Sequence, residues 1–182
     1  MSLIPTFLRV LRAGTTGIAV FAAAQGGAHA DIKLPGPPSS AIEQLDGEHP
    51  AEFYKLAAKL FRHGKKDEAV FIFYLGQLRY RARLLAHRDL DPSGEPALFA
   101  SLSEVVGRPI NEYAFGDIPR LLSTIDAVLE YDRTHPDRFT PPSSFPEAWQ
   151  QTREGLTKSK AKIERTADEI RAVRQKNGLP NR

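Results

Sequence analysis

The apolar residues of this chain recur at spacings of three and four, which is the repeat of an α-helix that buries one face. Phe53, Leu56 and Leu60 are a clear example, because they share one side of a helix that begins at Pro50. No stretch alternates apolar and polar residues for long enough to predict a half-buried strand. The spacing predicts an all-α protein, folded as a single-domain bundle of about five helices.

Helix start and stop signals place these elements along the chain. Proline is favoured at the first helical position and glycine just after the last one. The predicted helices cover residues 50–63, 67–87, 96–106, 117–133 and 146–177. Gly64 is expected to end the first helix in a left-handed conformation, while Asp67 and Asp117 are expected to cap two others. A short connector at 110–115 is predicted to be a helical turn or a compact loop.

The N-terminal residues 1–30 have the layout of a secretory signal peptide. Arg9 and Arg12 precede a weakly apolar run at residues 13–24, and Ala28 and Ala30 supply the small residues that a signal peptidase requires. A retained membrane anchor is the alternative. It is disfavoured because a spanning helix needs about 20 mostly apolar residues, and this run is shorter and contains two glycines.

Cleavage is expected between Ala30 and Asp31. The chain that remains after cleavage has two predicted parts. Residues 31–48 form a flexible lead-in rich in proline and serine, and residues 49–182 form the helical domain. The signal peptide predicts a periplasmic or secreted protein that meets the membrane only before cleavage.

Cysteine is absent from the whole sequence. Small secreted domains commonly depend on disulfides, so this one must be stabilised by apolar burial, which favours a well-packed helical domain. The absence also excludes thiol redox chemistry and thiolate metal sites, and it fits a bacterial periplasm better than a eukaryotic extracellular setting. The net charge is +3 before removal of Arg9 and Arg12. A nearly neutral mature chain gives no reason to expect a nucleic-acid partner.

One supersecondary signal spans residues 51–77. Phe53 and Leu60 in the first helix would pack on Phe73 in the second, and small residues at 57, 69 and 76 would let the helices approach closely. This pattern resembles a tetratricopeptide-type helical hairpin. The resemblance covers a single repeat, and Arg81 stands where the repeat has its closing proline. Simple core architecture is the alternative, because one repeat cannot form the concave groove of an array.

A second motif, Asp89 to Glu95, is similar to the start of a calcium loop. It offers oxygen ligands at alternate positions and a glycine at the sixth, but Ala100 stands where a bidentate glutamate is needed. A turn that caps the third helix is the alternative. The histidines are scattered over helix boundaries, so no metal and no cofactor is expected.

Two segments are candidates for binding a partner. Arg79 and Arg83 lie one helical turn apart, and the connector from Asn111 to Asp117 carries two aromatic residues, Tyr113 and Phe115. Aromatic and charged side chains on a connector are typical of protein-binding hot spots. The alternatives are an ion-paired solvent face for the arginines and a core plug for the aromatics. If both segments bind, they should lie side by side.

The sequence contains no serine elbow, no glycine-rich phosphate loop and no other arrangement typical of a catalytic site. We therefore expect an exported binding protein and not an enzyme, with another protein as its partner. In compartment and size it resembles periplasmic immunity or inhibitor proteins, which is a likeness of class only. An envelope hydrolase without a recognisable motif and a structural adaptor at the inner membrane are the alternatives.

Overall fold

A computed structural model describes residues 42–182. The predicted signal peptide, its cleavage site and most of the lead-in therefore lie outside the described residues. Within 42–182 every regular element is a helix, which confirms the all-α class. The seven helices are α1 (Pro50–Arg62), α2 (Lys66–Ala86), α3 (Glu95–Val105), α4 (Gly107–Ala114), α5 (Ile118–Thr134), α6 (Pro146–Arg165) and α7 (Ala167–Lys176).

Helices α1 and α2 form a hairpin around a three-residue turn. Pro50 occupies the first position of α1, and the His49 side chain accepts a hydrogen bond from the Ala51 amide at 3.1 Å. Gly64 has a φ of 79° in the turn, so its predicted left-handed conformation is confirmed. Gly76 packs directly on Phe53, because a Cβ added at position 76 would overlap the Cβ of the Phe53 side chain. The relation of this hairpin to tetratricopeptide repeats stays a prediction.

Helix α2 is the centre of the bundle, with α1, α4, α5 and α6 packed around it. All residues from Val70 to Leu75 are at least 94 % buried. A helix that is apolar on every side must be surrounded by other elements, so the run from Val70 to Leu75 is itself a sequence signal for a central helix. The prediction that Asp67 caps this helix is wrong, however, because α2 begins at Lys66 without a side-chain cap. Asp117, in contrast, caps α5 by accepting a hydrogen bond from the Arg120 amide.

Residues 50–182 form seven helices where the sequence predicted about five. The predicted helix at 146–177 is divided at Thr166, whose φ of −104° and ψ of 20° separate α6 from α7. The Thr166 hydroxyl donates to the Lys162 carbonyl at 2.9 Å, and such back-bonding by threonine bends helices. Residues 110–114 of the predicted connector belong to α4, and Phe115 is its C-cap residue. The helix tolerates Pro109 because that residue lies in its first turn.

Candidate functional site

Arg79, predicted to face a partner, lies inside the bundle and is 3 % exposed. Its guanidinium donates to the His135 carbonyl at 3.0 Å and lies 3.7 Å from the Asp137 carboxylate. It also stacks over the Phe53 ring at 5.0 Å from the centroid. Arg79 therefore attaches the segment between α5 and α6 to the core and is not part of an exposed surface.

Asp137 and Asp132 are the carboxylates of this buried region. Asp137 accepts hydrogen bonds from the Phe139 and Thr140 amides, and Asp132 accepts from Arg153 at 2.9 Å. Burial raises the pKa of both carboxyls above the ordinary value, although the arginines act in the opposite direction. Asp137 joins the 135–145 segment to Arg79 in the core, and Asp132 joins α5 to α6 through Arg153. We therefore assign both carboxylates a structural role.

Arg83 is partly exposed and forms a two-point ion pair with Glu95 at the start of α3. Its Nε and Nη2 atoms lie 3.3 and 3.2 Å from the two carboxylate oxygens. The same guanidinium stacks over the Phe139 ring at 5.2 Å. This pair connects the end of α2 to α3.

Asn111 and Phe115 are buried, at 4 % and 2 % exposure. The Asn111 side chain accepts a hydrogen bond from the Tyr74 hydroxyl at 3.0 Å, which joins α4 to α2. Burial raises the pKa of Tyr74 and keeps that hydroxyl protonated. These two residues pack α4 against its neighbours, so the prediction that they are exposed for a partner is wrong.

Tyr113 is half-buried at the edge of α4. Its hydroxyl donates to Asp67 at 3.0 Å, and its ring meets Phe61 edge-on at 5.9 Å. Two cations contact the same ring, Lys66 at 5.2 Å and Arg182 at 3.6 Å from the centroid. Tyr113 thus has both packing and polar contacts and keeps part of its surface accessible.

The two predicted segments do not form one surface. Tyr113 contacts Asp67 in the first turn of α2, whereas Arg83 lies in the last turn of the same helix. The sixteen intervening steps of 1.5 Å separate these positions by about 24 Å. The expected side-by-side arrangement is therefore wrong, because α4 packs along the first half of α2 and not near its end.

Helix α3 carries an exposed apolar face that the sequence analysis missed. None of its residues is buried, and the large hydrophobic side chains Leu98 and Val105 are 43 % and 74 % exposed. Phe99 and Leu102, on the adjoining side of the helix, pack on the core. The available signal was the composition of α3, in which six of the eleven residues are alanine, leucine, phenylalanine or valine.

A cluster of buried polar groups lies between α1, α2 and α3. Tyr54 Oη, Arg81 Nε and Ser103 Oγ have almost no accessible surface, and the Tyr54 hydroxyl lies within hydrogen-bonding reach of Ser103 and Gln77. Burial raises the pKa of Tyr54 and lowers the pKa of Arg81. Ser103 and Gln77 lie near the Tyr54 hydroxyl and counteract part of its shift. We refer to Tyr54, Arg81 and Ser103 as the Arg81 cluster.

The loop between α2 and α3 is organised by hydrogen bonds of its own. Asp91 accepts from the Ser93 amide at 2.8 Å and from the Ser93 hydroxyl at 2.7 Å, and these bonds lower its pKa. Gly94 then precedes α3 as its N-cap residue. Residues 42–182 contain no group of three histidines or carboxylates that could hold a metal ion. No helix in the same range is long and apolar enough to cross a bilayer.

A scan against protein-family models found no match, and neither the curated proteins nor the solved structures gave one.

Proposed function

We propose that this chain is an exported bacterial binding protein whose ligand is another protein. The signal-peptide pattern around Arg9, Arg12 and Ala28 to Ala30 supports export to the periplasm. Within that compartment we favour an immunity or inhibitor protein, which acts by occupying its target and performs no chemical step itself.

The exposed face of α3 is the observation that carries the binding proposal. Isolated helices shorter than about 12–15 residues are marginal in water, and helices in proteins are stabilised mainly by burying an apolar face. Helix α3 has eleven residues and buries none of them fully. Leu98 and Val105 lie two turns apart on the same side, so a single partner surface can cover both.

We infer an apolar contact surface on the partner. Between Leu98 and Val105 the same side of α3 presents Ser101, and Glu104 at its margin is neutralised by an ion pair with Arg108. A face without net charge gains most from a partner that removes apolar area from water. Its rim can then supply the polar contacts that give specificity.

The proposal is tested by identifying the partner and then disrupting the face. The tagged mature protein is used to isolate a stoichiometric partner from periplasmic extract, and the affinity for that purified partner is measured. Replacing Leu98 and Val105 together by serine should weaken binding by about thirtyfold, equivalent to about 2 kcal/mol. Ala161→Ser, at an exposed position of α6, is the matched control and should bind normally.

The double variant must first be shown to melt like the parent protein. Full affinity in a folded double variant contradicts the proposed surface. The inhibitor role is tested separately, because an inhibitor must suppress the partner's toxicity or activity in proportion to occupancy. A partner that is bound but unaffected would instead favour a structural adaptor.

A further inference from the structure

Helix α3 packs beside α1, and the two helices run in the same direction. The Glu95 carboxylate lies 3.7 Å from the ring of His49, which is the N-cap residue of α1. One turn further along both helices, the rings of Tyr54 and Phe99 meet edge to face at 6.5 Å. The starts of α1 and α3 are therefore level, and later positions along the two helices stay at similar heights.

The exposed apolar residues of α3 lie on the flank of the helix that adjoins α1. Four residues at spacings of three and four share this flank, namely Glu95, Leu98, Leu102 and Val105. The contact of Glu95 with His49 places the flank beside α1. Ser103 lies on a different side of α3, which faces the Arg81 cluster. A partner that covers the exposed apolar residues therefore also comes close to α1.

Helix α1 presents exposed cations on the side that adjoins α3. Tyr54 and Phe61 face α3 and α4, because their rings meet Phe99 and Tyr113. The residue before each of them is buried, and the residue after each is an exposed cation. We call the exposed cations of this side the basic row, which consists of Lys55, Lys59 and Arg62. Their spacings of four and three residues place them on one face of α1, at the solvent edge of its contact with α3.

The basic row carries positive charge that the described part of the chain does not neutralise. Lys55 is paired with a carboxylate of its own helix. Neither Lys59 nor Arg62 has a carboxylate partner within residues 42–182. At the other margin of the apolar face, Glu104 is paired with Arg108. The unpaired charge beside the apolar face is thus positive and lies on α1.

We propose that the apolar face of α3 and the basic row of α1 together bind an amphipathic helix of the partner protein, with acidic side chains along the edge that faces α1. This inference rests on the proposed function and adds the chemistry of the partner's contact surface. The apolar face from Leu98 to Val105 and the basic row from Lys55 to Arg62 each extend about 10 Å. Because the two rows run side by side, one helix can lie along both, as in other helix-in-groove complexes. Charge beside an apolar contact then selects a partner of opposite charge.

The test uses two synthetic helical peptides as probes. Both have about 18 residues and leucine at every third or fourth position. One peptide carries glutamate along one edge of the leucine row, and the other carries glutamine at the same positions. At low ionic strength the parent protein should bind the glutamate peptide about fivefold more tightly than the glutamine peptide. This preference should disappear in about 1 M salt, because exposed charges are then screened.

Neutralising the basic row should remove the preference. Lys59→Gln combined with Arg62→Gln should bind both peptides with the affinity that the parent has for the glutamine peptide. Both residues lie in the last turn of α1, where a cation also interacts with the helix dipole. The matched control is therefore Arg165→Gln combined with Lys176→Gln, which changes two exposed cations in the last turns of α6 and α7. The control should keep the preference.

This inference and the proposed function fail in different ways. Leu98→Ser combined with Val105→Ser should weaken the binding of both peptides equally, because it removes the apolar part of the surface. Equal affinity of the parent for the two peptides, or binding of neither, overturns the acidic helix. Either result leaves the proposed function standing, because that function is tested with the partner isolated from periplasmic extract.

A membrane is the other anionic surface that the basic row could meet. Vesicles of phosphatidylcholine with phosphatidylglycerol are the probe, and pure phosphatidylcholine vesicles are their control. The parent should prefer the glutamate peptide and should bind both kinds of vesicle equally weakly. Binding to the anionic vesicles that is lost in Lys59→Gln combined with Arg62→Gln, without a preference for the glutamate peptide, would overturn the proposal.

Discussion

The guanidinium of Arg79 lies 3.7 Å from the carboxylate of Asp137, and both side chains are almost completely buried. Arg79 comes from the central helix α2, and Asp137 from the proline-rich segment that joins α5 to α6. Asp137 also accepts two backbone amides of its own loop, from Phe139 and Thr140. One charged pair therefore positions a segment that has no regular secondary structure.

Arg79→Ala should destabilise the protein by about 3–5 kcal/mol, because it leaves Asp137 buried without its counter-charge. Chemical denaturation gives the free energy of unfolding directly. Arg133→Ala, which removes an exposed pair with Glu130, should leave the protein nearly unchanged. The combination of Arg79→Met with Asp137→Asn should recover much of the lost stability, since no charge then stays unpaired. Equal stability of Arg79→Ala and the parent would contradict the buried pair.

Asp132 predicts how stability depends on pH. Burial raises its pKa despite the hydrogen bonds from Arg153. The folded state therefore holds the proton more tightly than the unfolded chain. The contribution of this proton to the free energy of unfolding is fully present below about pH 3.9. It is lost as the pH rises through the pKa of Asp132 in the folded protein.

Asp132→Asn makes this dependence measurable. As the pH rises from about 3.9 through the folded pKa of Asp132, the melting temperature of this variant should increase relative to that of the parent. Above that range the difference between the two melting temperatures should stay constant. Thermal melts between about pH 3 and pH 8 test this. A difference that shrinks with rising pH would mean that Arg153 outweighs burial.

Phe73 tests the packing of the central helix. It is fully buried, meets Tyr54 edge-on at 5.3 Å, and lies against Gly107 at the start of α4. Phe73→Ala should cost about 3–5 kcal/mol through the cavity that it leaves. Leu98→Ala, on the exposed face of α3, should cost far less although it also shortens an apolar side chain. Similar losses for the two variants would contradict the assigned burial.

The sequence could predict the parts of the fold that depend on local pattern. The apolar run at 70–75 identifies α2 as central, and Gly64 identifies the turn before it. Both features follow from a few adjacent residues, since helical spacing and left-handed glycine are local properties.

The rest depends on contacts between distant residues. The partner carbonyl of Arg79 is His135, 56 residues further along the chain, and nothing near Arg79 indicates this. An arginine one turn after an apolar run has the same local pattern whether it faces solvent or a buried carboxylate. The sequence also could not show that Tyr113 lies beside Asp67 and far from Arg83. That position depends on where α4 packs on α2, which is set by the change of direction between α3 and α4.

Export is tested by the N-terminus of the mature protein. The pattern at Ala28 to Ala30 predicts cleavage before Asp31. Mass spectrometry of protein from the periplasmic or secreted fraction should find Asp31 as the first residue. Ala30→Leu should block cleavage, because signal peptidase requires a small side chain there, while Ala23→Leu should leave processing unchanged. A protein that still begins at Met1 would contradict the prediction.

Tyr113 distinguishes a packing role from a binding role. Its contacts with Phe61 and Asp67 favour packing. Tyr113→Phe should therefore cost about 1 kcal/mol through the lost hydrogen bond, and Tyr113→Ala should cost about 2–3 kcal/mol. Partner affinity, measured well below the melting temperature, should not change in either variant. If Tyr113→Ala melts normally but binds about thirtyfold more weakly, Tyr113 is a binding hot spot instead, because only a residue outside the core can lose affinity without losing stability.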